Sequence, residues 1–279
     1  MTSLVSSSRR APEKQRSHAY SSPGLAGKLV SQMAFSPMTE PVSTQDMHVH
    51  STFSSGANTI EENVAEAERI GLTELACVEH VRGDTRWVPA YVAAVSDSRK
   101  RTPIALRCAV EAKILDIYGR LDLPAELDGI DAVYAASHQA PSPDGPMNPR
   151  STRERIEVGE LDPQMVLRWM VNGTAAAVRQ REHLVIAHLF SGLPGLGLDE
   201  RDVPLGLIDS LAIAAAESDA RIVVDERRRC PAARTLRPFL RHGVPLLLGS
   251  GSDDRETVGH YDYCAGVLRE LRPLSVAAA

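Results

Sequence analysis

The sequence predicts an α/β fold with a mostly parallel sheet, and three observations carry that prediction. From Gln45 onward, short apolar runs alternate with stretches of helical periodicity, the pattern of repeated strand–helix units. The runs are apolar throughout rather than alternating, as strands covered on both faces should be. The length of 279 residues and the 43% hydrophobic content suffice for one large domain such as a single α/β barrel. Aromatic residues make up only 4%, so Val, Leu, Ile and Ala must build the core.

Taken in order, the strands are expected at 45–49, 72–78, 104–110, 131–136, 184–187, 221–224 and 244–248. The first helix follows from a capping box, Thr59 with Glu62, with Ile60, Val64, Ala67 and Ile70 on one face and Gly71 as its stop. Asp162 followed by Pro163 opens a second helix that runs through Val166, Trp169 and Met170 to about Arg181. A third is expected over about 205–218 and a last from about Val258 to Leu271. The proline-rich stretch 139–153 reads as a loop. Gly192 to Gly197 lacks the lysine of a phosphate-binding loop and reads as a flexible loop beside His188, a candidate lid.

Residues 1–43 stand apart. They are rich in Ser, Arg and Lys, with Glu13 the sole acid before Glu40. The composition resembles a transit peptide but shows no sustained amphipathic period; a disordered leader and a start assigned too early (Met33 or Met38 being the true one) are the preferred readings, and the fold is expected over 44–279. The net charge of −5 and the low aromatic content argue against a nucleic-acid surface, and no apolar run is long enough for a membrane span. Cys77, Cys108, Cys230 and Cys264 form no C-x-x-C pair, so a reduced, cytoplasmic protein is expected. Cys77 and Cys108 fall inside expected strands and read as core. The sequence leaves the oligomeric state open.

The chemistry-bearing residues cluster by position. His48 and His50 flank Val49 at the end of the first run, and period-2 geometry points both imidazoles to one side. His80 follows the second run, Glu111 the third, His138 the fourth and His188 the fifth, while Asp253 lies beyond the seventh. Each is common alone; together, five of the nine histidines sit at the same end of successive strands. In a closed parallel barrel those ends form one face, where such barrels build their active sites. His18, His183, His242 and His260 do not share that placement and read as structural or surface residues. Asp225 and Glu226 end the sixth run at the same face; Asp225 reads equally as an outer-shell or a surface carboxylate. The Arg227–Arg229 cluster reads as a solvated loop.

Asp46-Met47-His48-Val49-His50-Ser51, followed by Ser54-Ser55-Gly56 and a capped helix, closely resembles the first motif of the polymerase-and-histidinol-phosphatase (PHP) superfamily. Glu79-His80, Val110-Glu111, Ser137-His138 and Ala187-His188 resemble the later motifs in the same order, and Leu248-Gly249-Ser250 to Val258-Gly259 resembles the last. The resemblance implies a distorted (β/α)7 TIM-like barrel with metal ions at its C-terminal face, which agrees with the seven runs. It also implies that His48, His50 and Glu111 bind one metal, and that Glu111 bridges to a second held with His138 and His188. Imidazole and carboxylate donors suit Mn, Fe or Zn.

Two departures bear on a third ion. Ser55 stands where the superfamily has a ligand. In the last motif an ungapped alignment puts Gly251 at the Asp position and Asp253 at the His position, whereas a gapped one leaves Asp253 as the Asp. The third site would keep His80 and Asp253 alone, so two divalent ions are expected, with the third weak or absent. His80 or Asp253 is then expected to protonate the leaving group. Arg82, Arg86, Arg150 and Arg255 are the candidates for holding a substrate phosphate. The expected function is a metal-dependent hydrolase, a small-molecule phosphoesterase resembling histidinol-phosphate phosphatase that uses activated water at a two-metal centre. The alternatives are hydrolysis of a non-phosphate bond in a biosynthetic pathway, and a degenerate, non-catalytic binding module.

Overall fold

A computed structural model describes residues 42–272. All but the last two residues of the expected leader 1–43 lie outside the described residues.

Seven strands form one sheet, all neighbours parallel: β1 (Gln45–Val49), β2 (Glu74–Val81), β3 (Ala105–Lys113), β4 (Ala132–Ala136), β7 (Val185–Ala187), β8 (Arg221–Asp225) and β9 (Leu246–Gly249). They are hydrogen-bonded in chain order, and the sheet curls until its last connection reaches its first strand. The closing contacts come just beyond β9: Gly251 N donates to His48 O at 2.9 Å and His50 N to Ser252 O at 2.9 Å. Asp46 reinforces the seam. Buried at its lower part, it accepts from Ser250 N (2.9 Å), Gly259 N (2.8 Å) and His48 N (3.2 Å). The expected (β/α)7 barrel is therefore the observed one.

Small side chains plug the interior beneath the strand ends: Ala76, Val78, Ala109, Ala136, Val185, Ala187 and Val223, with Met47 and Tyr134 among them. Seven strands enclose a narrow channel, which explains why alanine and valine occupy these positions. Outside the sheet, two further apolar clusters bury the helix faces. Tyr91 illustrates the docking, its hydroxyl donating to Cys77 O (2.6 Å) and within reach of Ala109 O (3.0 Å), so that an aromatic ring packs on the sheet with its polar tip satisfied.

The helices are α1 (Ile60–Arg69), α2 (Val88–Arg99), α3 (Pro149–Glu157), α4 (Pro163–Gln180), α5 (Leu205–Glu217), α6 (Ala233–Arg241) and α7 (Asp262–Leu271). The Thr59/Glu62 capping box of α1 and the Asp162 cap of α4 form as expected. Three helices escape the sequence reading, and the reasons differ. In α2 the buried Val88, Tyr91 and Val95 share a face, but three alanines and another valine blur the period. In α6 the internal Pro238 reads as a breaker because it removes one hydrogen bond of the helix, yet the nine-residue helix continues past it to Arg241. The stretch 139–153 is corrected from loop to a short hairpin, β5 (Ala140–Ser142) with β6 (Gly145–Met147), and the start of α3, where Asn148 caps the helix and Pro149 opens it. The last helix starts at Asp262 rather than Val258, after a 3-10 turn at Arg255–Thr257. The candidate lid is also corrected: its Leu193–Leu196 forms a 3-10 turn with Leu193 and Leu196 buried in the core, which anchors it.

Candidate metal centre

The strand ends bring the histidines together. Glu111 stands at the middle, on β3 directly beside His80 of β2 in the ladder. One of its carboxylate oxygens, Oε2, lies 2.9 Å from His48 Nε2 and 3.1 Å from His188 Nε2. The other, Oε1, lies 2.7 Å from His138 Nε2 and 3.4 Å from His80 Nδ1. His50 stacks on His80 with ring centroids 4.4 Å apart and meets His48 edge-on at 4.9 Å. Five imidazoles thus converge on one buried carboxylate.

Local chain geometry sets these positions. The β1–β2 register shifts between Asp46 and Val49, an irregularity of the kind that re-aims side chains at barrel rims. His50 is pinned from two sides: its Nδ1 donates to Val78 O at 2.6 Å, and Asn63 of α1 donates to its carbonyl at 2.9 Å. With Nδ1 carrying the proton, Nε2 keeps a free lone pair. Gly249 is glycine because His48 approaches it closely; a Cβ there would lie 2.5 Å from His48 Cβ. His188 takes a left-handed backbone (φ 51°), the conformational cost of turning its ring toward Glu111 just after β7. Glu79, buried at the end of β2, accepts from Ser51 N (2.8 Å) and from the Ser54 hydroxyl, and so fixes the loop after β1.

The electrostatics suit a cation. Burial alone would raise Glu111, yet His188, His138 and His48 hold its carboxylate well below the usual range. Burial opposes a proton on His188, but Glu111 and Asp225 outweigh it and push His188 well above the ordinary imidazole value. His50 moves the other way, held neutral by burial and by His48 and His80. Two carboxylates and a set of imidazoles buried together at the barrel mouth therefore call for positive charge. His48 Nδ1 and Nε2, Glu111 Oε2, His188 Nδ1 and Asp225 Oδ2 are all buried without an aligned hydrogen-bond partner. Native proteins rarely tolerate so many such atoms in one place unless an ion satisfies them. Three donor groups have metal-ligating spacing among the described residues: His48/His50/Glu111, His48/His188/Asp225 and His80/Glu111/His138. The donor set fits divalent Mn, Fe or Zn.

Above the centre opens a cavity of about 480 Å³, lined by His80, Val81, Arg82, Glu111, Lys113, His138, Ser191, Gly192 and Arg228. Its size is that of a small-molecule site. Of the four arginines expected at a substrate, Arg82 lines it. Arg86 does not; Arg150 pairs with Glu154 at 3.1 Å on the exposed side of α3, and Arg255 lies 3.8 Å from Glu62. Asp253 is outside the three donor groups: it pairs with Arg227 and accepts from the Ser55 hydroxyl at 3.0 Å. The sequence reading did not single out Lys113, and it took Arg228 as part of a solvated loop, whereas its side chain lines the cavity. Lys113 follows Glu111 by two residues and so shares its face of β3, a signal present in the sequence.

A parallel barrel with a histidine-rich, carboxylate-centred cluster at the C-terminal ends of its strands defines the class of metal-centred barrel proteins. Within that class the PHP domain family model matches residues 46–177. Among solved structures it resembles histidinol phosphate phosphatase from Lactococcus lactis, determined with zinc, L-histidinol and phosphate. That likeness has a TM-score of 0.56 at 16% identity and covers 81% of this chain and 91% of the other. N-isopropylammelide isopropylaminohydrolase from Burkholderia multivorans aligns at a TM-score of 0.37 and 18% identity over 70% of this chain and 49% of that one. No curated protein sequence matches the chain.

Proposed function

We propose that the protein is a metal-dependent hydrolase acting on a small-molecule phosphate ester. The observation that carries this reading is the pairing of a buried His/Glu centre with a cavity whose rim bears Arg82, Lys113 and Arg228, while Glu111 at its floor is the one acidic residue lining it. Neither Arg82 nor Arg228 has an acidic side-chain partner among the described residues, unlike Arg150, Arg227 and Arg255. A rim of uncommitted cations selects for an anion.

His48, His50 and Glu111 would hold one divalent ion, and Glu111 with His138 and His188 a second, with His80 beside the latter. The ions, when bound, supply Lewis acidity toward phosphoryl oxygens and lower the pKa of water. The chain's own residues do the rest. Glu111, whose two oxygens both face imidazoles, would be shared between the two sets of ligands. Arg82, Lys113 and Arg228 draw the phosphate into the cavity and balance its charge. Lys113 is held by Gln139 Oε1 at 3.3 Å, which keeps its ammonium over the floor. His80 is partly exposed at the cavity wall and is placed to give a proton to the departing oxygen. Asp253, committed to Arg227 and Ser55, contributes to the rim's structure in this reading and Arg86, Arg150 and Arg255 take no part.

The test is a panel of phosphomonoesters with Mn, Fe or Zn supplied, on the protein and on Glu111→Ala. Phosphate release by the protein and its loss in a folded Glu111→Ala variant are expected. Full activity in that variant would defeat the assignment. High metal occupancy with no phosphate release from any ester would move the reading to hydrolysis of a non-phosphate bond.

A further inference from the structure

Asp225 is a fully buried carboxylate at the barrel mouth for which the proposed mechanism has no use. It ends β8, and its Oδ2 lies 3.2 Å from His188 Nδ1 and 3.6 Å from His48 Nδ1. Those two imidazoles turn their other nitrogens, Nε2, onto the same oxygen of Glu111. The ring nitrogens of an imidazole point in widely different directions. Glu111 and Asp225 therefore lie on opposite sides of the same two rings.

We propose that Asp225 is a positioning residue that accepts the Nδ1–H of both His48 and His188, rather than a ligand itself. This rests on the metal-centre reading above. A carboxylate behind a ligating imidazole fixes its tautomer and orientation and strengthens its donor nitrogen. Here one carboxylate would do so for two histidines that belong to different ions, which links the two halves of the centre from behind as Glu111 links them in front.

The surroundings of Asp225 are built for one orientation. Its second oxygen, Oδ1, accepts from Arg228 N at 2.6 Å. Gly251 packs directly against it, with φ of 62°; a Cβ there would come within 2.7 Å of Oδ2 and 2.9 Å of Oδ1. So the residue opposite must lack a side chain for Asp225 to stand where it does. Arg228 N donates to one oxygen, and in the proposed tautomer both imidazoles present N–H groups to the other. An amide cannot replace this carboxylate, because its NH2 would face either Arg228 N–H or the two imidazole N–H groups. Arg228 also carries the link outward, since its side chain lines the cavity while its backbone holds Asp225.

Zinc affinity and stoichiometry, measured by competition with a chromophoric chelator on the protein and on Asp225→Asn, test the proposal. The variant should bind zinc about 10- to 100-fold more weakly, with the same number of ions at saturation. Unchanged affinity would overturn the positioning role. One ion fewer at saturation would overturn it too, by making Asp225 a ligand. Should Asp225→Asn fail to fold, nitrogen-15 NMR of the zinc-loaded wild-type histidines decides the matter: His48 and His188 should both carry the proton on Nδ1, and an Nε2 proton on either contradicts the proposal. Absence of zinc binding by the wild-type protein would instead sink the metal-centre reading on which all this stands.

Discussion

Glu111 is the residue on which the site turns, because both of its oxygens face imidazoles while its side chain is 1% exposed. Glu111→Ala should abolish turnover and metal retention while leaving a folded barrel, checked by circular dichroism beside elemental analysis. Removing the carboxylate also relieves the demand for charge on His188, so the fold has little to lose. Glu79 gives a separate prediction with a definite sign. Burial raises it from 4.5 to about 7, so the fold holds a proton there that the unfolded chain has released between those values. Its contribution is full below pH 4.5 and is lost as pH rises through 7, at up to about 1.4 kcal/mol per pH unit. Glu79→Gln removes this dependence. In chelator-treated protein its stability relative to wild type should improve from pH 5 to about pH 7 and level off above that, and a difference constant across this range would contradict the account. At this scale the sequence picked out the six side chains that the strand ends bring together, since histidines and a glutamate at strand ends are visible as types and spacings. It left Asp225 open between an outer-shell and a surface carboxylate, because its surroundings depend on two rings brought to it from β1 and the end of β7. Nor could it sort the arginines, because which guanidinium finds an acid is decided by tertiary neighbours.

Among the elements, every barrel strand was legible as an apolar run, though not the β5–β6 hairpin, and some of the runs end early. β2 and β3 continue to Val81 and Lys113, past the expected Val78 and Val110, because their ladder goes on pairing where the side chains turn polar. His80, Glu111 and Lys113 are therefore held on strands rather than on loops, which stiffens the site. Helices with clear caps were legible, as at Thr59 and Asp162; the alanine-rich α2 and the proline-bearing α6 were not. Gly249→Ala should show how tightly β9 packs on β1. Its Cβ would strike that of His48, so the variant should lose zinc affinity and melt at a lower temperature, read by calorimetry with and without metal. Thr59→Ala serves as the contrast: loss of the α1 cap should cost about 1 kcal/mol in urea unfolding and leave turnover unchanged.

For the whole molecule, closure of the barrel and assembly of the centre are one event. The contacts that seal β1 to the chain after β9 run through His48, His50 and Asp46, the segment that also carries the first two donors. Asp46→Ala would strand three backbone N–H groups at that seam and should destabilise the fold by about 3 kcal/mol or more, with metal affinity falling in parallel. The parallel α/β class and the seven-strand count were readable from periodicity; the closing seam was not, since it is made by a loop that has no strand pattern. Among the described residues no helix is long and apolar enough to cross a membrane, as the composition implied. The account stands most directly on metal content per chain, measured by elemental mass spectrometry on protein purified without chelators or added metal. It predicts about two equivalents of Mn, Fe or Zn. A chain that binds none, even after reconstitution with each, would contradict it.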